Sequence, residues 1–268
     1  MSTPRILKYP RTPHLEGSRL QPGDEDLSQI SFTAICGKHI VVEEKIDGAN
    51  CAVSFDEDGV LLLQSRGHYL IGGYKERHFD LFKIWANVHR NALYAVLGAR
   101  YVMYGEWMYA KHAIFYDKLP HYFVEFDVYD REKKLFLDTH ARAALLESLP
   151  VVSAPILAEG EFDSLPKLLS LVGNSRYISP QHIEKLRNTC VELGVDPDRA
   201  CSETDSSLTM EGIYIKVEEG GAVKERLKYV RASYSQHMAD SSTPWINRTI
   251  IPNSLDKPLE ALFLPTLK

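Results

Sequence analysis

The sequence predicts an α+β fold in which most strands pair in antiparallel fashion. Two observations lead to this class. Short segments with apolar residues at every second position recur between residues 39 and 130, which is typical of half-buried strands. Segments with apolar residues at helical spacing then dominate residues 139–193, before strand character returns over residues 212–231. Because strands and helices come in separate runs, the pattern favours α+β over a parallel α/β sheet.

The composition excludes several functional classes. The chain has 268 residues, of which 44% are hydrophobic, so it can bury the core of one large domain or two modest ones. A net charge of -5 rules out a global basic field, and any site for a polyanion must therefore be a local patch. The four cysteines form no CxxC pair and the ten histidines form no HExxH motif, which argues against a zinc site or a disulfide framework.

The chain also shows no sign of export or membrane insertion. Its first 20 residues contain no apolar segment like that of a signal peptide, and no apolar run is long enough to cross a bilayer. We therefore expect a cytoplasmic protein with no membrane partner.

The first half of the chain is expected to consist mainly of strands. Residues 1–38 are rich in proline, glycine and charge and form an irregular N-terminal arm, with one helical turn near residues 24–30. Residues 76–97 have apolar side chains at helical spacing and form a helix that ends at Gly98. Strands are predicted at residues 39–46, 50–55, 59–65, 100–110 and 121–130.

In the second half, helices precede a hairpin. Helices are predicted at residues 139–149, 164–171 and 179–193, and strands at residues 212–218 and 223–231. The last helix has Ser179 as its N-cap and Pro180 as its first residue, and the hairpin turns at Gly220-Gly221. Residues 232–268 form a short C-terminal extension interrupted by prolines.

The segment VVEEKIDGAN, residues 41–50, concentrates charge of both signs on one strand. On an extended chain Glu43, Lys45 and Asp47 project from one face, while Val42 and Ile46 point into the core. One interpretation is a solvated ion pair, which is the usual role of an isolated Lys-x-Asp. The other is a nucleophilic amine, which must be uncharged to attack and therefore needs a lowered pKa. Neighbouring carboxylates raise that pKa, so a nucleophile here requires further cations or a metal ion.

Such cations occur in a later charged segment. EGIYIKVEEGGAVKERLKYVR, residues 211–231, contains Glu211, Lys216 and Lys228. Between the two segments lie SRG at residues 65–67 and GEW at residues 105–107. Each short pattern alone is compatible with a plain hairpin, turn or strand end, but their combination and order are far more specific.

In this order the patterns resemble the covalent nucleotidyltransferases, which comprise ATP-dependent DNA ligases, RNA ligases and mRNA capping enzymes. Within that superfamily the chain is most similar to ATP-dependent RNA ligases of the phage T4 RNA ligase 2 type. KIDG at 45–48 matches the Lys-x-Asp-Gly motif that accepts the nucleotide, and Asn50 matches an asparagine typical of the RNA ligase 2 group. Arg66 matches an arginine that contacts the nucleotide and the strand end, and Glu106 matches the ribose-binding glutamate.

Two further motifs complete the resemblance. YFVEFDVYD at residues 122–130 is similar to the strand whose aromatic residue stacks on the purine, which implies Phe126, with Phe123 as the alternative. EGIYIK implies that Glu211 binds metal and that Lys216, five residues later, contacts phosphate.

The last motif is normally Lys-x-Lys, and here the chain departs from it. Lys228 fits the first lysine, but Val230 occupies the second position. Arg226 and Arg231 are the two candidates for the missing positive charge, although a planar guanidinium is not a simple replacement for an ammonium.

The resemblance implies a nucleotidyltransferase fold of the ATP-grasp-like ligase kind, with two antiparallel sheets flanked by helices and the nucleotide between them. It implies an adenylyltransferase domain at residues 39–231 that uses ATP and Mg²⁺, or Mn²⁺ in its place. The catalytic residues are then Lys45, Asp47, Lys216 and Lys228, and the metal ligands Glu211 and Asp47. The implied nucleotide-binding residues are Glu43, Glu44, Lys45, Ile46, Asn50, Arg66, Glu106, Phe126, Glu211, Lys216 and Lys228.

The implied reaction joins 5′-phosphate and 3′-hydroxyl RNA ends through a lysine-AMP intermediate and an adenylylated 5′ end. The substrate is a nicked duplex, a single strand or a broken tRNA, and an end-healing kinase or phosphatase is a candidate partner. Two alternatives remain. DNA ligases and capping enzymes append an oligonucleotide-binding barrel for which residues 232–268 are too few, which leaves only a minimal DNA ligase. A non-catalytic module that binds nucleotide or RNA ends is the other alternative, because Val230 departs from the last motif.

Overall fold

A computed structural model describes residues 5–20, 23–24, 26–234 and 249–265. These residues form twelve strands and six α-helices. The strands are β1 (His14–Leu15), β2 (Gln29–Ile30), β3 (His39–Lys45), β4 (Ala49–Phe55), β5 (Leu61–Ser65), β6 (Tyr101–Trp107), β7 (Phe123–Asp130), β8 (Leu135–Leu137), β9 (Val152–Ser153), β10 (Ile156–Glu161), β11 (Gly212–Glu219) and β12 (Ala222–Val230). The helices are α1 (Asp80–Val88), α2 (Arg90–Leu97), α3 (Thr139–Leu146), α4 (Leu165–Leu169), α5 (His182–Leu193) and α6 (Pro197–Ser202).

The strands form two antiparallel halves joined by one short strand. The hydrogen-bonded order is β10-β3-β11-β12-β8-β7-β6-β4-β5, so β8 links the half ending at β12 to the half beginning at β7. The exceptions are β1, which runs parallel to β12 and β2, and β9, which runs parallel to β7. This arrangement confirms the predicted α+β class and its mostly antiparallel pairing, but β8 joins the two predicted sheets into one twelve-stranded sheet.

The pairing of β3 with β11 brings the two charged segments together. Lys45 lies opposite Gly212, and Glu43 lies opposite Tyr214. A side chain at position 212 would not fit, because a Cβ atom there would lie 1.8 Å from the Tyr229 carbonyl oxygen. Glycine at this position therefore permits the close pairing of β11 with β12, while the same strand pairs with β3 on its other side.

Two apolar cores support the halves. The larger lies beneath β4, β6 and β7, where Phe82 and Trp85 of α1 stack on Phe123 at ring-centroid distances of 5.6 and 5.2 Å. The smaller core contains Val42 of β3 and Ile215 of β11, and it includes Leu168 of α4. Burial of these side chains stabilises the sheet that carries the charged residues.

Several predicted element boundaries need correction. The predicted helix over 76–97 is a 3-10 turn (Tyr74–Phe79) followed by α1 and α2, which are separated at His89. The ring of His89 is anchored by its Nε2 atom, 2.8 Å from the Leu262 carbonyl oxygen. The end at Gly98 is confirmed, with a φ of +49°.

The predicted N-cap at Ser179 is wrong, because α5 begins at His182. Ser179 instead lies in the turn before the helix, where its hydroxyl accepts a hydrogen bond from the Gln181 N–H at 3.2 Å, and Asp117 accepts bonds from its backbone N–H and its hydroxyl. The predicted helical turn near residues 24–30 is also wrong. The Leu27 N–H donates one hydrogen bond to the Asp24 carbonyl, and the chain then enters β2. Sequence reasoning also missed β1 and β2, in the arm predicted to be irregular, and β8, β9, β10 and α6.

The N-terminal arm pairs with the sheet, whereas the C-terminal end of the described chain contacts the connection between β6 and β7. The N-terminal arm pairs with β12 through β1, and residues 252 and 255 form bridges to residues 110 and 119. Residues 235–248, within the predicted C-terminal extension, lie outside the described part. No helix in the described ranges is long and apolar enough to cross a membrane.

Candidate active site

A pocket opens between the two halves of the sheet, and we call it the central pocket. Nine of the predicted nucleotide-binding residues line it: Glu43, Glu44, Lys45, Ile46, Asn50, Arg66, Glu106, Phe126 and Lys228. A second recess, the outer groove, is lined by residues 65–79 together with Asp47, His112, Glu211 and Tyr234. Lys45, Asn50, Arg66, Glu106 and Lys228 line both recesses. These five side chains therefore mark the boundary at which a molecule in the pocket would meet one in the groove.

Lys45 ends β3 and forms an ion pair with Glu211. Its Nζ atom lies 2.7 Å from Glu211 Oε2, and the Glu211 carboxylate is almost fully buried. Burial disfavours the ammonium, but the carboxylates of Glu211, Glu106 and Asp47 outweigh this effect and raise the pKa of Lys45. The expectation of an uncharged Lys45 is thus wrong for the nucleotide-free site, because its nearest neighbours are anions.

Asp47 does not project beside Lys45, because the strand ends at Lys45 and the alternation of faces ends with it. Its Oδ2 atom accepts hydrogen bonds from the backbone N–H groups of Ala113 and Ile114, at 2.9 and 3.1 Å. Its Oδ1 atom lies 3.4 Å from His112 Nδ1. Burial opposes ionisation, but His112, Lys45 and the Ile114 amide together lower the pKa of Asp47 to about 2. Asp47 therefore holds residues 112–114 in place rather than facing the central pocket.

The next residue, Gly48, is required by close packing. A Cβ atom at this position would lie 2.5 Å from Met108 Sδ and 3.1 Å from the Trp107 carbonyl oxygen. The glycine of the KIDG pattern thus lets the turn after β3 pack tightly against the end of β6.

Lys216 lies behind the central pocket rather than in it. Its Nζ atom is 2.8 Å from Glu43 Oε2 and 3.4 Å from Asp127 Oδ1, and it donates a hydrogen bond to the Phe126 carbonyl. Arg142 of α3 lies on the other side of Glu43, with Nη2 2.5 Å from Oε1. These side chains are all buried. The predicted phosphate-contacting lysine is therefore part of a buried ionic network that supports β7.

The Glu211–Lys216 spacing of five residues is explained by where β11 starts. Glu211 precedes the strand, which begins at Gly212, so the alternation of faces does not constrain it. Lys216 lies within the strand, on the face of Tyr214. The two residues consequently reach different partners, Lys45 and Glu43.

Glu106 and Asn50 lie opposite each other on β6 and β4. The Oε2 atom of Glu106 is buried and accepts no hydrogen bond from any residue in the described ranges. Burial raises the pKa of Glu106 to about 8, and the neighbouring Glu211 and Asp47 raise it as well. Lys45 and Arg66 lower this pKa but do not offset the increase. A buried acceptor with no partner is costly unless a ligand supplies a donor, and a sugar hydroxyl would do so.

The structure distinguishes the two aromatic candidates on β7. Phe126 lines the central pocket, whereas Phe123 is fully buried in the larger core. The ring of Tyr9, from the N-terminal arm, packs edge-on against Phe126 at a centroid distance of 5.0 Å. Tyr9 also donates a hydrogen bond to Asp127 Oδ2 at 2.5 Å.

Sequence reasoning missed Tyr9, Thr12, Tyr214 and Arg142. Tyr9 and Thr12 line the central pocket from the arm, and Thr12 Oγ1 lies 2.6 Å from the Tyr214 hydroxyl oxygen. No local pattern links these residues, because more than 200 residues separate Thr12 from Tyr214.

Neither arginine near the last motif replaces the missing lysine. Arg226 Nε donates to Asp127 Oδ2 at 2.9 Å, and its guanidinium lies 3.8 Å from the centroid of the Phe136 ring. Arg231 binds Asp205 and the Met210 carbonyl. Neither side chain lines the central pocket or the outer groove, and Val230 is fully buried in the larger core. Of this motif only Lys228 reaches the boundary of the two recesses.

The residues present could hold a hard divalent cation only with help from a ligand. Mg²⁺ and Mn²⁺ prefer oxygen ligands, and Glu211 offers a buried carboxylate beside Lys45. In the described part of the chain, no three His, Cys, Asp or Glu side chains cluster tightly enough to bind a metal ion alone. Mg²⁺ commonly binds through one or two carboxylates together with phosphate oxygens, and this donor set fits such a site.

Comparison with known proteins agrees with this geometry. A family model described as RNA ligase matches residues 38–230. Similar solved structures include Naegleria gruberi RNA ligase with PPi, at 19% identity and a TM-score of 0.52. A mutant of the same ligase with ATP and Mn has 17% identity and a TM-score of 0.53.

In both comparisons the match covers 89% of this chain and 60% of the Naegleria chain, so this chain spans about three fifths of that ligase. A search of curated protein sequences found no match. The structural likeness shows that the chain shares the fold of that ligase, and the family match covers most of the chain. The protein belongs to the RNA ligase family.

Proposed function

We propose that the protein is an ATP-dependent RNA ligase that joins a 5′-phosphate end to a 3′-hydroxyl end. The observation that carries this proposal is the position of Lys45. Its amine stands at the boundary of a pocket lined by Phe126 and Glu106 and of a groove large enough for a second substrate. An amine placed there can take up a group in the pocket and pass it to a molecule in the groove.

The proposed reaction has three phosphoryl-transfer steps. Lys45 Nζ attacks the α-phosphorus of ATP, a P–N bond forms, and the bond to pyrophosphate breaks. The 5′-phosphate of RNA then attacks the same phosphorus and releases the lysine, which leaves an adenylylated 5′ end. The 3′-hydroxyl finally attacks the 5′-phosphorus, loses its proton and expels AMP. Such steps depend mainly on alignment and on neutralisation of charge.

The roles of the pocket residues follow from their positions. Phe126 would stack on the adenine, and Glu106, whose Oε2 atom lacks a donor among the described residues, would accept a hydrogen bond from a ribose hydroxyl. Lys228 would bind a phosphate at the boundary of the two recesses. Lys216 would act indirectly, because it fixes Glu43 and the Phe126 backbone from behind.

Lys45 must lose a proton before it attacks, and Glu211 controls this step. In the nucleotide-free site the Glu211 carboxylate stabilises the ammonium. Mg²⁺ or Mn²⁺ held by Glu211 would neutralise phosphate charge and withdraw that carboxylate from Lys45. Repulsion between Lys45 and the nearby Lys228 would then favour the neutral amine, against the remaining carboxylates of Glu106 and Asp47.

We further propose that the chain has three parts: an arm at residues 1–38, an adenylyltransferase domain at residues 39–231 and an extension at residues 232–268. We also propose a cytoplasmic location. The strand ends would come from a nicked duplex, a single strand or a broken tRNA, after an end-healing kinase or phosphatase has prepared them.

The experiment that tests the function is a sealing assay with matched substrates. The protein is incubated with ATP, Mn²⁺ and a nicked duplex bearing a ³²P-labelled 5′-phosphate, made either of RNA or of DNA. The proposal expects a longer labelled RNA product and little or no joined DNA. Joining of DNA alone would support a minimal DNA ligase, and binding of either duplex without a product would indicate a non-catalytic module.

A further inference from the structure

The N-terminal arm holds the backbone of Lys228. Strand β1 runs parallel to β12 with His14 opposite Lys228, and the Lys228 N–H donates to the Pro13 carbonyl at 3.0 Å. Two residues later the Val230 N–H donates to Ser18 Oγ, also at 3.0 Å. The arm therefore fixes the segment of β12 that carries the last motif, although most of the arm lies outside the residues matched by the family model.

The arm also holds the side chain of Lys228. The Lys228 ammonium donates a hydrogen bond to Asp24 Oδ2, and Asp24 is only 7% exposed. His14 Nε2 lies 3.1 Å from the same oxygen, and the other ring nitrogen of His14 lies 2.7 Å from Ser18 Oγ. Arg11 reaches the second oxygen, with Nη2 3.3 Å from Oδ1. Asp24 is thus locked by residues of its own arm, so its carboxylate is a fixed point for the lysine.

Lys228 needs such a partner, because its surroundings disfavour its charge. Burial and the nearby Lys45 ammonium lower the pKa of Lys228, even though Asp24 acts in the opposite direction. Burial opposes ionisation of Asp24, but its bonds to Lys228, His14 and Arg11 lower its pKa to about 2. Without the Asp24 carboxylate, the effects that lower the pKa of Lys228 would lose an opposing contribution.

We propose that Asp24 is a positioning residue for the ligase reaction: it holds the Lys228 ammonium at the boundary of the central pocket and the outer groove, where a phosphate of ATP would lie. The inference rests on the proposed function and extends it to a residue of the N-terminal arm. Asp24 itself need not touch the substrate, since it would act through Lys228.

The test compares single-turnover transfer of label from α-³²P-ATP to the protein in Asp24→Asn, Lys228→Ala and the double variant. Asp24→Asn should lower the rate constant at saturating ATP by about tenfold or more, as expected for loss of a transition-state contact. The double variant should be no slower than Lys228→Ala, because residues that act through one another are not additive. Asp163→Asn is the control, because Asp163 forms an exposed ion pair with Lys167 that does not involve the arm. It should label at the wild-type rate.

The results separate the inference from the function on which it rests. A wild-type protein that takes up no label contradicts the proposed function. A wild-type protein that labels normally, together with Asp24→Asn at the wild-type rate, overturns only the role of Asp24. Additive defects in the double variant would also overturn it, since they would mean that Asp24 acts independently of Lys228.

A folding defect would not leave the question open. If Asp24→Asn does not fold, Asp24→Glu keeps the charge and moves the carboxylate by one methylene group. A folded Asp24→Glu protein should label more slowly at saturating ATP with an unchanged KM for ATP, and a wild-type rate would overturn the positioning role.

Discussion

Lys45 Nζ lies 2.7 Å from Glu211 Oε2, although 166 residues separate the two in the chain. The contact exists because β3 ends at Lys45 where β11 begins, with Lys45 opposite Gly212. In the nucleotide-free protein the candidate nucleophile is therefore a charged ammonium held by a buried carboxylate. In the proposed mechanism its activation would require a change of partner at Glu211, which would link the arrival of metal and nucleotide to the chemistry of the amine.

Glu211→Gln tests this link. The substitution should lower the rate of label transfer from α-³²P-ATP to the protein by about 100-fold, the usual order for loss of a group that stabilises developing charge. Glu219→Gln, an exposed residue at the other end of β11, should leave the rate unchanged. A rate for Glu211→Gln equal to that of the wild type at limiting Mn²⁺ would show that Glu211 neither binds metal nor controls Lys45.

Phe126→Ala tests the stacking position. Loss of the ring should raise the KM for ATP about tenfold, because stacking on a base contributes about 1–3 kcal/mol. Unfolding should change little, since Phe126 is only partly buried. Phe123→Ala is the contrasting variant: it should reduce the free energy of unfolding by about 3–5 kcal/mol, because its ring is fully buried. The assignment of Phe126 would be refuted by an unaltered KM.

Arg142→Ala tests the buried network behind the pocket. The substitution removes the cation shared by Glu43 and Glu125 and leaves Lys216 as the remaining partner of Glu43, which should lower the free energy of unfolding by about 3–5 kcal/mol. Arg187→Ala breaks an exposed pair with Asp198 and should cost only about 0–1 kcal/mol. Urea denaturation gives both values. Equal effects of the two substitutions would mean that the network does not support the fold.

Glu44→Gln tests the pH dependence of stability. Burial raises the pKa of Glu44 from 4.5 to about 7, against opposing effects of Ser175 and Arg176. Between these values the folded state binds one proton more than the unfolded state, so the free energy of unfolding falls as the pH rises. Without nucleotide or metal, the Tm of the wild type should drop between pH 5 and pH 8 by more than that of Glu44→Gln. Parallel curves for the two proteins would contradict the raised pKa.

The sequence predicts most strands well because their period of two is a local property. Seven strands fall within a few residues of their predicted positions: β3, β4, β5, β6, β7, β11 and β12. Short strands such as β8 are stabilised by their neighbours rather than by their own pattern, and a local reading does not detect them. The break at His89 likewise depends on Leu262, which lies 173 residues away.

The candidate site shows the same difference between features set by local sequence and features set by long-range contacts. Motif order identified the residues that line the central pocket, including Lys45, Glu106 and Phe126. It did not identify the partners that decide the charge of each side chain, because Arg142 and Asp24 come from elements distant in sequence. The alternation rule also placed Asp47 on the wrong face, since the strand ends two residues before it. Local patterns therefore locate functional residues, whereas long-range contacts determine their ionisation and orientation.

The most direct test of the central claim is to locate the adenylate on the protein. The purified chain is incubated with α-³²P-ATP and Mn²⁺, digested, and the labelled peptide is identified by mass spectrometry under conditions that preserve a P–N bond. The account predicts one AMP on Lys45 and no labelling of Lys45→Ala. Label on another residue, or undiminished labelling of Lys45→Ala, would contradict it.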